Sequence, residues 1–545
     1  MKPYISVFLV WFAGASLSFG QETLPGPLLE GLGDLHHPVT TRSKKAQHYF
    51  DQGLRLVFAF NHKEAIRSFR SAAKLDPDCA MAHWGVAYAF GPHVNKAMDT
   101  NDTAEAWQAL QLAVAGKGKV SAKERAYITA LEKRYQPEHK DDRLPLDKAF
   151  ANSMRELAEK YPDDLDAQVL FAESLMDTMP WDYWTRDRTP KPETVEILDA
   201  LRFVMARDPN HPGANHYYIH AVEAGPTPEQ GLPAADRLLK YAPAAGHLTH
   251  MPSHIYMRVG QYDDAVAANE LAVKADSNYI RNCRALGFYP GMYYPHNIHF
   301  LWWAQVFDGR STEAIRTAEQ AAAYALENYC GPKKALEAPR LRHLPWLTLI
   351  RFGRWEEALA IAQPGNTNDF VVDRALWHFT RGLAFAAQKE VAAAEKEQAA
   401  LNELAASEEV RKLSSPAFPV ADTLAVSKHW LAGKIAGAKG EWPVMIEHLE
   451  KAVAAEDALP YMEPAYWPIP VRPTLGAALL QAGEATRAEK IFREDLKRWP
   501  RNAWSLLGLE HSLRAQDRAE AAELVEGQFK EAWKRSDTKL KLDWF

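Results

Sequence analysis

The sequence predicts an all-α protein built as a right-handed solenoid of about ten or eleven helix pairs. Two observations carry that expectation. In residues 46–79, "AQHYFDQGLRLVFAFNHKEAIRSFRSAAKLDPDC", Gly53, Ala65, Phe69, Ala72 and Pro77 stand at the small, aromatic and stop positions of a thirty-four-residue helix–turn–helix unit. Small residues let paired helices approach, an aromatic fills the gap beside them, and proline ends the second helix. Units with glycine and then alanine at matching offsets start at 246, 295, 339, 426 and 469, and weaker ones fit from 80, 165, 212, 375 and 503.

Taken in order, the chain begins with "MK", an apolar run "YISVFLVWFAGA" and a small-residue exit "SLSFG", the pattern of a secretory signal peptide over residues 1–20. The run is about a dozen residues, short of the roughly twenty that span a bilayer, and no later stretch approaches that length. The alternative is an uncleaved anchor. The expectation is a periplasmic or secreted protein with no membrane span after signal removal. Residues 21–45 form an N-terminal arm, and residues 46–545 form one continuous solenoid: N-terminal repeats over 46–164, histidine-rich central repeats over 165–374 and C-terminal repeats over 375–545.

Composition narrows the function classes. With 47% hydrophobic and 25% charged residues the chain is a folded globular protein rather than a disordered one. A formal net charge of -6 leaves no electrostatic footprint for nucleic acid or an anionic membrane. Cys79, Cys283 and Cys330 are too few and too scattered for a disulfide framework or a thiolate metal site, and read as small buried apolar residues, with one bridged pair left open.

The chain resembles the tetratricopeptide repeat superfamily, and more narrowly a widespread group of exported bacterial repeat proteins. The stretches that carry the narrower likeness are "YFDQGLRLVFAFNHKEA", "HPGANHYYIHAVEA", "HMPSHIYMRVGQYDDA", "YYPHNIHFLW" and "YMEPAYWPIPVRPTLGAALL", which run from the first repeat nearly to the end. The resemblance implies tetratricopeptide-like helix pairs and export. It implies no reaction.

The repeat frame gives the histidines a geometry. The first helix of each unit lines the concave surface, and residues three or four apart share one helix face. That face carries His216, His220 and Glu223 in the unit at 212, His247, His250 and His254 in the unit at 246, His296, His299 and Trp303 in the unit at 295, and Arg340 and His343 in the unit at 339. Neighbouring helices lie roughly 8 to 10 Å apart, close enough for histidines on facing rows to reach one ion. His216 with His250 and His220 with His254 are each one repeat apart, which predicts a quadrilateral across two helices, with His299 as the third helix's contribution. Glu223 is placed to ligate, to orient a ligand or to act as a base, and Glu173 is an inward carboxylate on the preceding helix. Imidazoles with few carboxylates and no thiolates point to zinc, copper or iron.

Other readings stand beside this one. His83, His378, His429, His448 and His511 read as surface histidines, and His62, His36 and His37 as structural, with the arm able to fold into the groove. Pro252 predicts that His247 and His250 sit on an irregular segment. Ser253, beside His254, packs between helices and is no nucleophile, and no "HExxH", phosphate-loop or dinucleotide motif occurs. Insertions over 178–192, 277–294 and 459–470, rich in aromatics and proline, either cover the groove or fill gaps between repeats. The middle one makes Tyr293, Tyr294 and Arg281 candidate contacts around the site. The functional alternatives are a metal-dependent activity, hydrolytic or redox, on a small molecule, and a non-enzymatic scaffold holding a peptide or protein in the concave groove.

Overall fold

The structure, a computed structural model, describes residues 26–329, 338–365, 367, 370–416 and 418–545. Residues 1–20 and Cys330 lie outside the described residues; Cys79 is a buried thiol and Cys283 a half-buried one. Among the described residues the regular elements are helices, with extended pairing confined to isolated bridges such as His93 with Lys96.

The repeat signature has a direct packing cause. The first pair, Lys44–Phe58 and His62–Leu75, is capped by Ser43, whose hydroxyl accepts from the Ala46 amide at 3.2 Å. Phe69 of the second helix lies between Gly53 and Gly85: a Cβ on either glycine would stand 2.5 Å from its ring. Phe492 repeats the arrangement at the other end, 2.5 Å from a Cβ on Gly476 and 2.1 Å from one on Gly508. Any side chain there forces the helices apart, so the glycine–aromatic spacing legible in the sequence is a contact between successive pairs.

One pair, Ala122–Leu131 with Leu144–Lys160, lies between the expected units at 80 and 165 and was not anticipated. No glycine stands between Gly118 and Gly213, so this stretch lacks the glycine-and-alanine spacing that marks the stronger units. It is fixed instead by a capping box of Ser121 and Glu124.

The winding is tight enough for distant repeats to meet. Arg535 pairs with Asp308 at 2.8 Å, Asp537 accepts from the Ser311 amide at 2.8 Å, and Tyr262 donates to the Pro500 carbonyl at 2.7 Å. At the other end Tyr241 accepts from the arm's Leu35 amide at 2.9 Å, and Tyr279 donates to Asn61 at 3.0 Å. The first, central and late repeats therefore share one interior. No helix among the described residues is long and apolar enough to cross a membrane.

Candidate metal centre

Four segments bring the histidines into that interior. Pro212–Val222 starts at Pro212, is capped by His211 and carries His216 and His220 one turn apart, with Glu223 at its C-cap. The next first helix is divided: Gly246–His250 carries His247 and His250, Met251 keeps helical angles, and Pro252 opens Pro252–Val259 with His254 in its first turn. The irregularity expected at Pro252 is this division, and because Met251 keeps helical angles across it His250 and His254 remain one turn apart on one face. Tyr294–Asp308, preceded by a π-helical turn over Tyr289–Tyr293, supplies His296.

The imidazoles form two triads. His216, His220 and His247 place one nitrogen each within 4.8 Å of the others, and so do His250, His254 and His296. Inside the first, His216 Nε2 and His247 Nε2 are 3.1 Å apart; inside the second, His250 Nε2 and His254 Nε2 are 3.0 Å apart. Surrounding groups fix which nitrogen faces inward. His216 donates from Nδ1 to the Phe58 carbonyl at 2.7 Å, and His250 donates from Nδ1 to Asn269 Oδ1 at 2.7 Å. The Asn269 amide is itself oriented, since its Nδ2 donates to the Ala265 carbonyl at 2.7 Å. Both rings thus present an Nε2 lone pair to the interior. His220 Nε2 and His247 Nδ1 are buried without a hydrogen-bond partner.

Glu223 joins the triads. Its Oε1 lies 3.2 Å from His220 Nδ1 and its Oε2 lies 2.5 Å from His254 Nδ1, which also lies 3.1 Å from Glu463 Oε2. Burial works against the charge on Glu223, but His254 and His220 bring its pKa down to about 2. Burial likewise opposes a charge on His254, and the two carboxylates overcome it and raise the pKa to about 10. Burial holds His216, His247 and His250 well below the ordinary imidazole value and lowers His220. His216, His220, His247 and His250 are therefore neutral, the protonation state a metal requires, and His254 is a carboxylate-bound imidazolium whose Nε2 faces His250.

An aromatic shell closes the cluster. Phe60 lies 5.2 Å from the His247 ring and 5.9 Å from that of His220, nearly parallel to both. Its φ of 53° is in the left-handed region, unusual for an aromatic residue, and the turn after Lys44–Phe58 holds the ring against the imidazoles. Phe300 packs 4.7 Å from His250, Tyr293 packs 4.5 Å from His247, and Trp181 meets His220 edge to face at 5.0 Å.

Several expected placements are corrected. The quadrilateral of His216, His250, His220 and His254 is replaced by the two triads, because His247 rather than His250 faces His216. The third helix contributes His296, while His299 is buried beside Trp302 at 5.7 Å and joins neither triad. The concave strip is covered: apart from half-buried His296, the triad histidines are buried, so a peptide in a groove does not reach them. Glu173 accepts from the Tyr88 hydroxyl in a separate buried network beside Asp177. Arg281 is exposed and bonds Asn278, Tyr294 packs on Tyr324 at 5.1 Å, and His343 caps Leu344–Arg351 outside any donor cluster among the described residues. Arg340 acts at a distance, donating to the Pro464 and Ala465 carbonyls and so holding the loop that delivers Glu463. The arm does not enter the cluster: His36 bonds Asp51 at 2.8 Å and His37 bonds Asp166 at 2.7 Å.

Phe60, Asn269 and Glu463 were not singled out from the sequence. Only for Glu463 was there a signal, its place in the insertion over 459–470. That insertion and the one over 178–192 do cover the cluster, through Glu463 and Trp181. Tyr461 donates to Glu463 at 2.5 Å and stacks against Arg258, whose guanidinium donates to the Glu223 carbonyl.

The paired helices and the glycine–aromatic contacts between them define the class of the fold, a helical solenoid of the tetratricopeptide kind. No protein-family model matches the sequence, and no curated protein matches it. Among solved structures the chain is similar to the human IFIT1 dimer with m7Gppp-AAAA (13% identity, 90% of this chain and 91% of that chain, TM-score 0.31). It is also similar to the APC/C hetero-tetramer Cut9-Hcn1 (12%, 91% and 76%, TM-score 0.29) and to yeast Tom70 (13%, 89% and 90%, TM-score 0.26).

Proposed function

We propose that the chain is an exported tetratricopeptide-like solenoid that binds a transition metal, zinc, copper or iron, at its buried histidine cluster. One observation carries the reading: His216 and His250 have their Nδ1 protons committed to Phe58 and Asn269, so their Nε2 lone pairs point at other imidazole nitrogens 3.1 and 3.0 Å away. In each pair the facing ring donates its Nε2 proton to that lone pair, and nitrogens on one tetrahedral ion stand about 3.3 Å apart, so a metal takes the place of the shared proton with little movement of the rings. Export is supported by the leader pattern over residues 1–20 and by the resemblance to exported repeat proteins.

A metal-dependent reaction here, hydrolytic or redox, takes a small molecule, because the triads are enclosed. Glu223 serves it as an orienting carboxylate. A group with a pKa of about 2 and both oxygens facing imidazoles is a poor base at neutral pH.

Elemental analysis of the purified, untagged protein tests the reading, beside a variant carrying His220→Ala and His254→Ala. Stoichiometric zinc, copper or iron in the native protein, lost from the variant with unchanged helical circular dichroism, is the expected result. Absence of metal from both, persisting after reconstitution with each ion, overturns it and makes the peptide- or protein-binding scaffold the reading to pursue.

A further inference from the structure

We infer that the cluster is a two-ion centre, one ion in the triad His216, His220, His247 and one in the triad His250, His254, His296, coupled through Glu223. The inference rests on the metal-binding reading above and adds the number of ions and the carboxylate that links them.

Three features of the geometry lead to it. Each triad contains its own close Nε2 pair, at 3.1 Å and 3.0 Å, near the roughly 3.3 Å that adjacent ligands of a tetrahedral ion adopt. Each triad also has a ring fixed from outside by a different element, His216 by the Phe58 carbonyl and His250 by Asn269, so the two inward-facing lone pairs are prepared independently. A centre made for one ion needs one such converging set. Finally, the triads abut: the His247 and His250 rings are 6.0 Å apart and those of His220 and His254 are 5.8 Å apart.

Glu223 gives the pair its coupling. One oxygen faces Nδ1 of His220 in the first triad and the other faces Nδ1 of His254 in the second, so the carboxylate aims a ligand toward each ion. An ion in the first triad draws electron density from His220, strengthens that ring's hold on Glu223 and alters the charge available to His254. His254 already meets a second carboxylate, Glu463, which lets its Nδ1 proton remain satisfied while Nε2 turns to a metal. Occupancy of one triad is thereby felt by the other through a single side chain.

The test uses the full chain and cobalt(II) as the probe. Metal-free protein loaded with cobalt(II) is expected to bind about two equivalents, one for each histidine triad, and to show spin–spin broadening in its electron paramagnetic resonance spectrum. His247→Ala and His296→Ala, each removing one triad member, are expected to hold about one equivalent without broadening. Glu223→Gln is expected to keep both ions while affinity falls about 10- to 100-fold in each triad, the effect of losing an orienting partner. One equivalent in the native protein, lost from both histidine variants, overturns the two-ion centre and leaves the metal-binding reading standing. Two equivalents without broadening in the native protein overturn the coupled pair, and this readout needs no variant to fold. No binding of cobalt(II), zinc(II) or copper(I) by the native protein overturns both readings.

Discussion

The helix Pro212–Val222 has a histidine–carboxylate network at each end, and the two differ in what they leave unsatisfied. At its start, His211 accepts from the Ala214 amide through Nδ1 at 3.2 Å and donates through Nε2 to Asp166 at 3.1 Å. Asp166 also takes His37 at 2.7 Å, and Lys123 pairs with the neighbouring Asp164 at 2.9 Å. His37, Asp164 and Asp166 bring donor atoms as close together as either triad does, yet these contacts are spent on one another. At the other end, His220 Nε2 and His247 Nδ1 have no partner, and the Nε2 atoms of His216 and His247 face each other. Burial and histidine content are shared by both networks. The difference lies in lone pairs aimed at one point by outside acceptors: the first network is a latch for the arm, the second, on the metal-binding reading, a set of ligands.

Substitutions that distinguish the two ends sharpen this contrast. Phe60→Ala has the largest expected effect, because it removes a buried ring packed on His216, His220 and His247. We expect a loss of about 3 to 5 kcal/mol in urea denaturation and a fall in bound metal, with the arm still protected from proteolysis. Asp166→Asn should do the reverse, costing about 2 kcal/mol and exposing the arm to protease while metal content stays unchanged. If Asp166→Asn also empties the centre, the two ends are not independent.

A smaller effect follows from pH. Burial disfavours the charged form of His37, but Asp166 outweighs it and raises the pKa, while His211 and His37 lower that of Asp166 against its own burial. The His37 contribution is complete below the unfolded value of about 6.5 and is lost as pH rises through its raised value. The Asp166 contribution is complete above about 3.9 and is lost as pH falls through its lowered value. Protection of the amides over residues 34–41, relative to their intrinsic base-catalysed exchange, should therefore be greatest in mildly acidic solution and fall toward alkaline pH. Unchanged protection across that range would remove the latch.

The smallest effect is expected at His429 and His448, whose half-buried rings lie 5.9 Å apart across a C-terminal pair with no hydrogen bond to either ring among the described residues. Alanine at both should leave metal content unchanged and stability within about 0.5 kcal/mol. Loss of metal there would mean that proximity alone makes a ligand.

What was legible in the sequence is what lies within one repeat. Gly53 and Phe69, or His216 and His220, stand at spacings set by a helix pair or a helical turn, and periodicity reports both. Contacts made by winding were hidden. Phe60 reaches the cluster from a turn far upstream and Glu463 from far downstream, and no local spacing encodes either. The exchange of His299 for His296 has the same origin. His296 and His299 both stand on the face assigned from the repeat, and which of the two meets His250 and His254 is set by how the neighbouring helices pack, not by local spacing.

The distance along the chain between Phe58 and Glu463 bears on how the protein would acquire the ion proposed for it. Half of the cluster's orienting groups come from the first pair and from a loop near the last, so a growing polypeptide holds no finished binding site. Its histidines are ordinary weak ligands until the late repeats close over the early ones. On the proposed reading, the metal would be selected by whatever ions surround the chain where folding finishes, not where synthesis begins. Once the aromatic shell has closed, half-buried His296 is the member through which such an ion would come or go.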